Sequence, residues 1–168
     1  MKFPEAKEQF IKAWGQLGSE WGINRTMAQV HALLLIAPEP LSAEEIMEQL
    51  HISRGNANMN LRALIDWDLV EREFRQGERK EYFVAEKDMW KVAMLIASER
   101  RKRELEPVRK LLDKLDDLEG DKKDKNIKAF LETINGISDV ADKADRVINA
   151  FIKADQNWVT GTLLKLVK

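Results

Sequence analysis

The feature that most constrains this chain is a pair of short helix-length segments within residues 41–84, LSAEEIMEQLHISRGNANMNLRALIDWDLVEREFRQGERKEYFV. Each is preceded by a serine. Ser42, with Glu45 three residues on, has the spacing of a capping box, in which hydroxyl and carboxylate satisfy free N–H groups at a helix start. Ile46, Met47 and Leu50 give that helix an inner face. His51-Ile52 is a short turn. Ser53 then caps a second helix, in which Ala57, Leu61, Leu64 and Ile65 fall at i, i+4, i+7 and i+8, one buried stripe. Leu69–Phe74 and Lys80–Val84 have strand character, and Gln76-Gly77-Glu78 between them is a turn signal.

Two short helices joined by a tight turn and followed by a hairpin form the winged version of the helix-turn-helix. The expected fold is mainly α with a small β-hairpin: a winged helix-turn-helix domain plus a helical dimerisation extension. The outward side of the second helix points to double-stranded DNA. A solvated helix face is ordinarily filled with Glu and Lys, whereas this one carries Arg54, Gly55, Asn56, Asn58, Met59, Asn60 and Arg62. Gly and Asn are poor helix formers, so helix stability does not explain them. Arg and Asn are side chains that hydrogen-bond base edges in the major groove, Arg to guanine and Asn to adenine. Gly55 lets the helix start approach a phosphate, where free N–H groups attract anions. The expected recognition-helix contacts are Ser53, Arg54, Gly55, Asn56, Asn58, Met59 and Arg62. An extended cap is the plainer reading of an Asn-rich start. In the hairpin, Arg72, Arg75, Arg79 and Lys80 surround Gly77 and suit phosphates or the minor groove. The interleaved Glu71, Glu73, Glu78 and Glu81 equally fit an ordinary charged hairpin.

These residues also carry a resemblance. Ser53-Arg54-Gly55-Asn56, Met59-Asn60-Leu61-Arg62, Trp67 with Leu69-Val70, Gly77-Glu78-Arg79-Lys80 with Tyr82, and Glu86-Lys87-Asp88 with Trp90 resemble the MarR-type winged helix regulators. The similarity is greatest to the subgroup of the glycine-betaine-synthesis regulator. It covers about residues 10–95. The resemblance implies a homodimeric transcription factor that acts mostly as a repressor. It also implies a possible small-molecule effector, since that subgroup includes regulators sensing quaternary ammonium solutes. An aromatic cage suits such a cation, and Phe10, Trp14, Trp21 and Trp90 are the candidates; Trp residues buried in a helical core are the commoner arrangement.

At 168 residues the chain suits one domain or a small domain with an extension. It has no cysteine, which excludes disulfides and thiolate metal sites. The longest apolar run, Ala32–Ala37, is far too short to span a bilayer. The start, MKFPEAKEQF, lacks the apolar segment of a signal peptide, so a cytoplasmic location is expected. The net charge of −1 is low for a nucleic-acid-binding chain and predicts weak binding to random DNA.

The remainder reads as helix, with the winged domain assigned to 1–90 and a helical dimerisation region to 91–168. Pro4 opens a first helix with the stripe Phe10, Ile11, Trp14, Leu17 and Trp21, and Gly22 ends it. Asn24 caps a second helix that Pro38 and Pro40 stop. Asp88 caps a long helix to about Leu118, kinked by Pro107 near Glu106. The run Glu99–Arg103 reads either as a phosphate contact or as a solvated face. Gly120 to Lys125 is a linker. Two last helices, about 125–135 and 138–166, are separated by Gly136. Ile134, Ile137, Val140, Ala141, Ala144, Val147, Ile148, Phe151, Ile152 and Ala154, continued by Leu163, Leu164, Leu166 and Val167, form a stripe too broad for one small domain to cover. A second copy of the chain is the expected partner.

An enzyme is not expected. His31 and His51 are the two histidines. Neither has an evident partner for nucleophilic or metal chemistry, and no phosphate-binding glycine loop or zinc-binding histidine motif is present. No cofactor and no metal are expected. The alternative function is a winged helix used as a protein-interaction module without DNA binding.

Overall fold

A computed structural model describes residues 1–77, 79–118 and 124–166, the last of these without side chains beyond Lys153. Parts of the expected turn and linker (Glu78, 119–123) and of the stripe (Ala154, Leu163, Leu164, Leu166, Val167) lie outside what is described. The chain divides into two compact units, Met1–Leu95 and Ile96–Lys168.

The first unit holds α1 (Phe3–Glu20), α2 (Arg25–Ile36), β1 (Leu41–Ser42), α3 (Ala43–Leu50), α4 (Arg54–Asp66), β2 (Val70–Phe74) and β3 (Glu81–Ala85). Most boundaries follow from short-range chemistry. Asn24 accepts from the Met27 N–H at 3.1 Å and starts α2. The Ser42–Glu45 capping box starts α3, with the Ser42 N–H donating to Glu45 at 2.7 Å. These bonds hold the Glu45 carboxyl below its ordinary pKa. His51 adopts a left-handed conformation, φ 53°, and turns the chain from α3 toward α4. Gly77, at φ 85°, occupies the hairpin turn in a conformation glycine adopts without strain.

β2 starts one residue later than the sequence pattern indicates and ends where expected, β3 is shifted by one residue, and β1 adds an unforeseen third strand. It pairs antiparallel through Leu41 with Phe83 and Ser42 with Tyr82, so β3 lies between β1 and β2. The core is built on α2, whose Val30, Ala32, Leu33 and Leu34 are wholly buried, together with Ile46, Leu61, Leu64, Val70 and Phe83. On α1, Ile11, Gly15 and Gly18 are the buried residues, and Leu17 and Trp21 of the expected stripe face outward. A Cβ at Gly18 would stand 2.6 Å from that of Ala28, so glycine permits this helix crossing. Lys87 Nζ donates to the Leu34, Leu35 and Ala37 carbonyls at 2.6–2.9 Å, closing the C-terminus of α2.

α5 (Met89–Arg100) begins with Asp88 accepting from the Trp90 and Lys91 N–H groups and runs across the unit boundary. A π-helical turn, Arg101–Leu105, separates it from α6 (Glu106–Asp116). The irregularity falls in the turn preceding Pro107, whose ring would crowd the Arg103 carbonyl of a regular helix. The second unit is completed by α7, Lys125–Leu166, a single helix of 42 residues. The expected break at Gly136 does not occur. An interior glycine costs only about 1 kcal/mol, too little to end a helix whose apolar faces continue on both sides.

α7 carries two adjacent seams, the first in alternating steps of four and three residues and the second, through its large side chains, in steps of seven, three, seven and four. Ile127, Leu131, Ile134, Ser138, Ala141, Asp145, Ile148 and Ile152 are buried or half-buried, and Leu112, Leu105 and Leu115 complete this small core. Phe130, Ile137, Val140, Val147 and Phe151 form the other seam, and all are exposed. Val108, Leu111 and Leu118 are exposed as well.

Candidate nucleic-acid interface

α4 sorts its residues sharply by side. Ala57, Asn60, Leu61 and Leu64 are buried, and Arg54, Gly55, Asn58, Met59 and Arg62 are exposed. Because 54, 58 and 62 are one turn apart and 55 and 59 lie beside them, the exposed five make one continuous face. Met59 is 58% exposed and adds an apolar side chain to this otherwise polar face. A Cβ at Gly55 would meet nothing within 4 Å, leaving the backbone of the first turn open to close approach. Ser53, expected as a contact, accepts from the Asn56 N–H at 3.3 Å and so serves as the helix cap. Arg54 stands 3.6 Å from Glu44 in a solvent-exposed pair, the kind that contributes little and is readily exchanged for a phosphate. Arg62 has no ion-pair partner among the described residues.

The wing is less basic than its sequence. Arg72 pairs with Glu81 across the hairpin at 3.5 Å. Arg75 lies over the Tyr82 ring, 4.0 Å from its centroid. Arg79 and Lys80 are exposed and, among the described residues, have no ion-pair partner. Phe74 at the end of β2 is largely exposed. Two cations of the expected four are therefore engaged within the hairpin.

The aromatic candidates for an effector site are not gathered in one chain. Phe10 and Trp14 have ring centroids 5.6 Å apart, and Trp14 lies 6.2 Å from His31. Trp21 and Trp90 are both about half exposed. Trp90 is on α5, which does not pack substantially on α1 among the described residues. The run 99–103 is occupied internally. Arg103 pairs with Glu99, Arg100 with Glu104, and Arg101 with both Glu106 and Asp145. Arg101 Nε donates to Asp145 at 2.6 Å and holds that buried carboxyl below its ordinary pKa. Lys102 is exposed, and of the three arginines only Arg101 is held in a largely buried pair, with Asp145.

Sequence reasoning set Asn60 on the outward side of this helix, whereas its side chain is buried and bonded to Asn56. The signal was present: 60 adjoins the buried stripe 57, 61, 64, so its amide had to find a partner inside.

A helix-turn-helix with a hairpin wing, with Arg and Asn exposed on its second helix, defines the winged helix fold. The MarR family model matches residues 21–81, and this segment is a MarR-type winged helix. GbsR of Bacillus subtilis (strain 168), an HTH-type transcriptional repressor, is 28% identical over 87 residues, 52% of this chain and 48% of its own. YvaV of the same organism, provisionally an HTH-type transcriptional regulator, is 21% identical over 94 residues, 56% of this chain and 53% of its own. The chain thus spans about half the length of the curated relatives it matches. A crystal structure of a transcriptional regulator superposes with a TM-score of 0.56 at 19% identity, covering 88% of this chain and 99% of the other, a likeness of fold. No helix among the described residues is long and apolar enough to cross a membrane.

Proposed function

We propose that this chain is a sequence-specific, DNA-binding transcriptional regulator, that it acts as a homodimer in the cytoplasm, and that it represses. The observation that carries the reading is the continuous exposed face of α4, Arg54, Gly55, Asn58, Met59 and Arg62. Asn56 stands at its edge. Guanidinium, amide and thioether groups there match base edges and thymine methyls. Arg79 and Lys80 on the wing supply phosphate contacts, which fix position and carry no sequence information. The similarity to GbsR supports repression as the direction of control.

The dimer is supported by the exposed seam of α7. Phe130, Ile137, Val140, Val147 and Phe151 repeat as the a and d positions of a coiled coil. A second copy offers the same seam and closes it by two-fold symmetry. Such a dimer presents two recognition helices to half-sites about 34 Å apart.

The test is selection of bound sequences from a random duplex pool by the wild type and by Arg62→Ala. A palindromic motif enriched by the wild type and lost in the variant is expected. The net charge of −1 predicts little retention of random DNA at moderate salt. A folded chain that enriches nothing at low salt would overturn the reading in favour of a protein-interaction module.

A further inference from the structure

Asn60 is 2% exposed, on the inner side of α4. Its Nδ2 group donates to the Asn56 backbone oxygen at 2.8 Å and to Asn56 Oδ1 at 2.7 Å. Both N–H groups of the buried amide are thereby satisfied by one residue, a single turn back along the helix.

The arrangement decides how Asn56 meets a ligand. An asparagine side chain has an accepting end and a donating end of similar size, and in solution either can be turned outward. Here Oδ1 is the end held by Asn60. Rotating the Asn56 amide would set two NH2 groups against each other and leave a buried donor without an acceptor, the costly way to lose a hydrogen bond. The Asn56 NH2 group has no acceptor among the described residues. Asn56 also lies in the first turn of α4, the part of a recognition helix that contacts base edges.

We infer that Asn60 is a positioning residue that fixes Asn56 as a hydrogen-bond donor, so that Asn56 selects guanine and not adenine. Guanine offers N7 and O6 as neighbouring acceptors in the major groove. Adenine is read by asparagine through a paired donor and acceptor edge, which calls on an outward Oδ1, the end that here faces the buried Asn60 amide. The inference rests on the DNA-reading function proposed above and adds the polarity of one contact.

The experiment uses the full chain as wild type, Asn56→Ala and Asn60→Leu, the last keeping the side-chain size while removing the amide. Each variant is checked by circular dichroism and thermal melting, then passed through random-duplex selection. The wild-type motif is expected to hold a guanine at one position per half-site that Asn56→Ala relaxes. Asn60→Leu is expected to relax that same position, by about tenfold in preference, and to leave the others intact. With the wild type alone, 7-deazaguanine at that position is expected to lower affinity by about tenfold, because the N7 acceptor is gone. The duplex measurement needs no variant to fold.

Adenine at that position, with affinity lost when purine lacking the 6-amino group replaces it, would overturn the inference. So would a uniform loss across all positions in Asn60→Leu, or an unchanged motif. Failure of the wild type to enrich any motif would overturn the DNA-reading function and the inference with it, a result distinct from a motif of the wrong polarity.

Discussion

The two units of this chain solve the same problem differently. The winged unit buries Val30, Leu33, Leu34, Ile46, Leu61, Leu64 and Val70 almost completely and leaves its polar or adaptable residues on one face of α4. The helical unit buries Leu112, Ile134 and Ala141 but leaves Val108, Leu111, Ile137, Val140, Val147 and Phe151 in water. A folded domain with that much unpaired apolar seam has a surface for a partner. The winged unit covers its own core, whereas the helical unit leaves an apolar seam exposed, the surface on which the proposed dimer rests. If the proposed function holds, a chain divided in this way can vary the exposed face of α4 without disturbing the seam of α7.

The sharpest way to break this comparison is the double substitution Val140→Glu with Val147→Glu. Two charges on the seam remove roughly 1.5 kcal/mol of burial each and add a desolvation penalty, so self-association should weaken by about 4 kcal/mol or more, a thousandfold. Sedimentation at micromolar concentration should show the mass falling from dimer to monomer, with melting of the winged unit unchanged. If the mass does not change, the seam is ordinary solvent surface.

Next in size is the response of the winged unit to acid. His31 is buried, and burial first, then the Lys87 charge, lowers its pKa from 6.5 to about 4. The unfolded chain takes up a proton near pH 6.5, and the folded chain resists until about pH 4. The contribution is therefore full above pH 6.5, declines as pH falls toward 4, and is lost below it. The loss amounts to about 3 kcal/mol. Denaturant titrations at pH 7 and pH 4.5 should show it, and His31→Met should flatten the slope. Since Asp145 is held ionised by Arg101, its own contribution persists until lower pH. An equal response of both units in the same window would remove this distinction.

How much of this was legible depended on the range of the interactions. Ser42, Ser53, Asn24 and Asp88 act within three residues of themselves, and each helix start could be read from the chain. The stripe 57, 61, 64 gave the buried side of α4, and hence the exposed one. β1 is two residues long, too short for any alternation to register. The pairing of Arg72 within the wing depends on cross-strand register, in which Arg72 opposes Phe83 and reaches Glu81 diagonally. The aromatic candidates failed to converge because helix periodicity fixes a face and says nothing of which helix that face meets. The linkage of Asn56 to Asn60 needed the inner and outer sides of α4 to be considered together, since both residues are the same type.

Smaller effects come from one substitution made in both units. Gly18→Ala places a Cβ 2.6 Å from that of Ala28, at a crossing of backbones that cannot give by moving a flexible tip. Overpacking of this kind costs about 2 kcal/mol, more than the gain in helix propensity returns. The winged unit should melt at lower temperature, and a melt unchanged from wild type would mean that α1 and α2 can separate freely.

Gly136→Ala should have the opposite sign. A Cβ there meets nothing within 4 Å in its own chain, and the residue lies inside α7 with helical residues on both sides. Alanine gains about 1 kcal/mol over glycine in a helix interior, chiefly by narrowing the unfolded chain. Thermal melting of the helical unit should rise. Gly136 also directly precedes Ile137 of the exposed seam, so the same substitution probes how closely a second copy approaches. If the protein melts higher at low concentration, where it is monomeric, and lower at high concentration, the glycine is kept for close helix contact across the dimer. If it melts higher at both, the glycine is only a weak point in a long helix, and the seam packs through Ile137, Val140, Val147 and Phe151 without it.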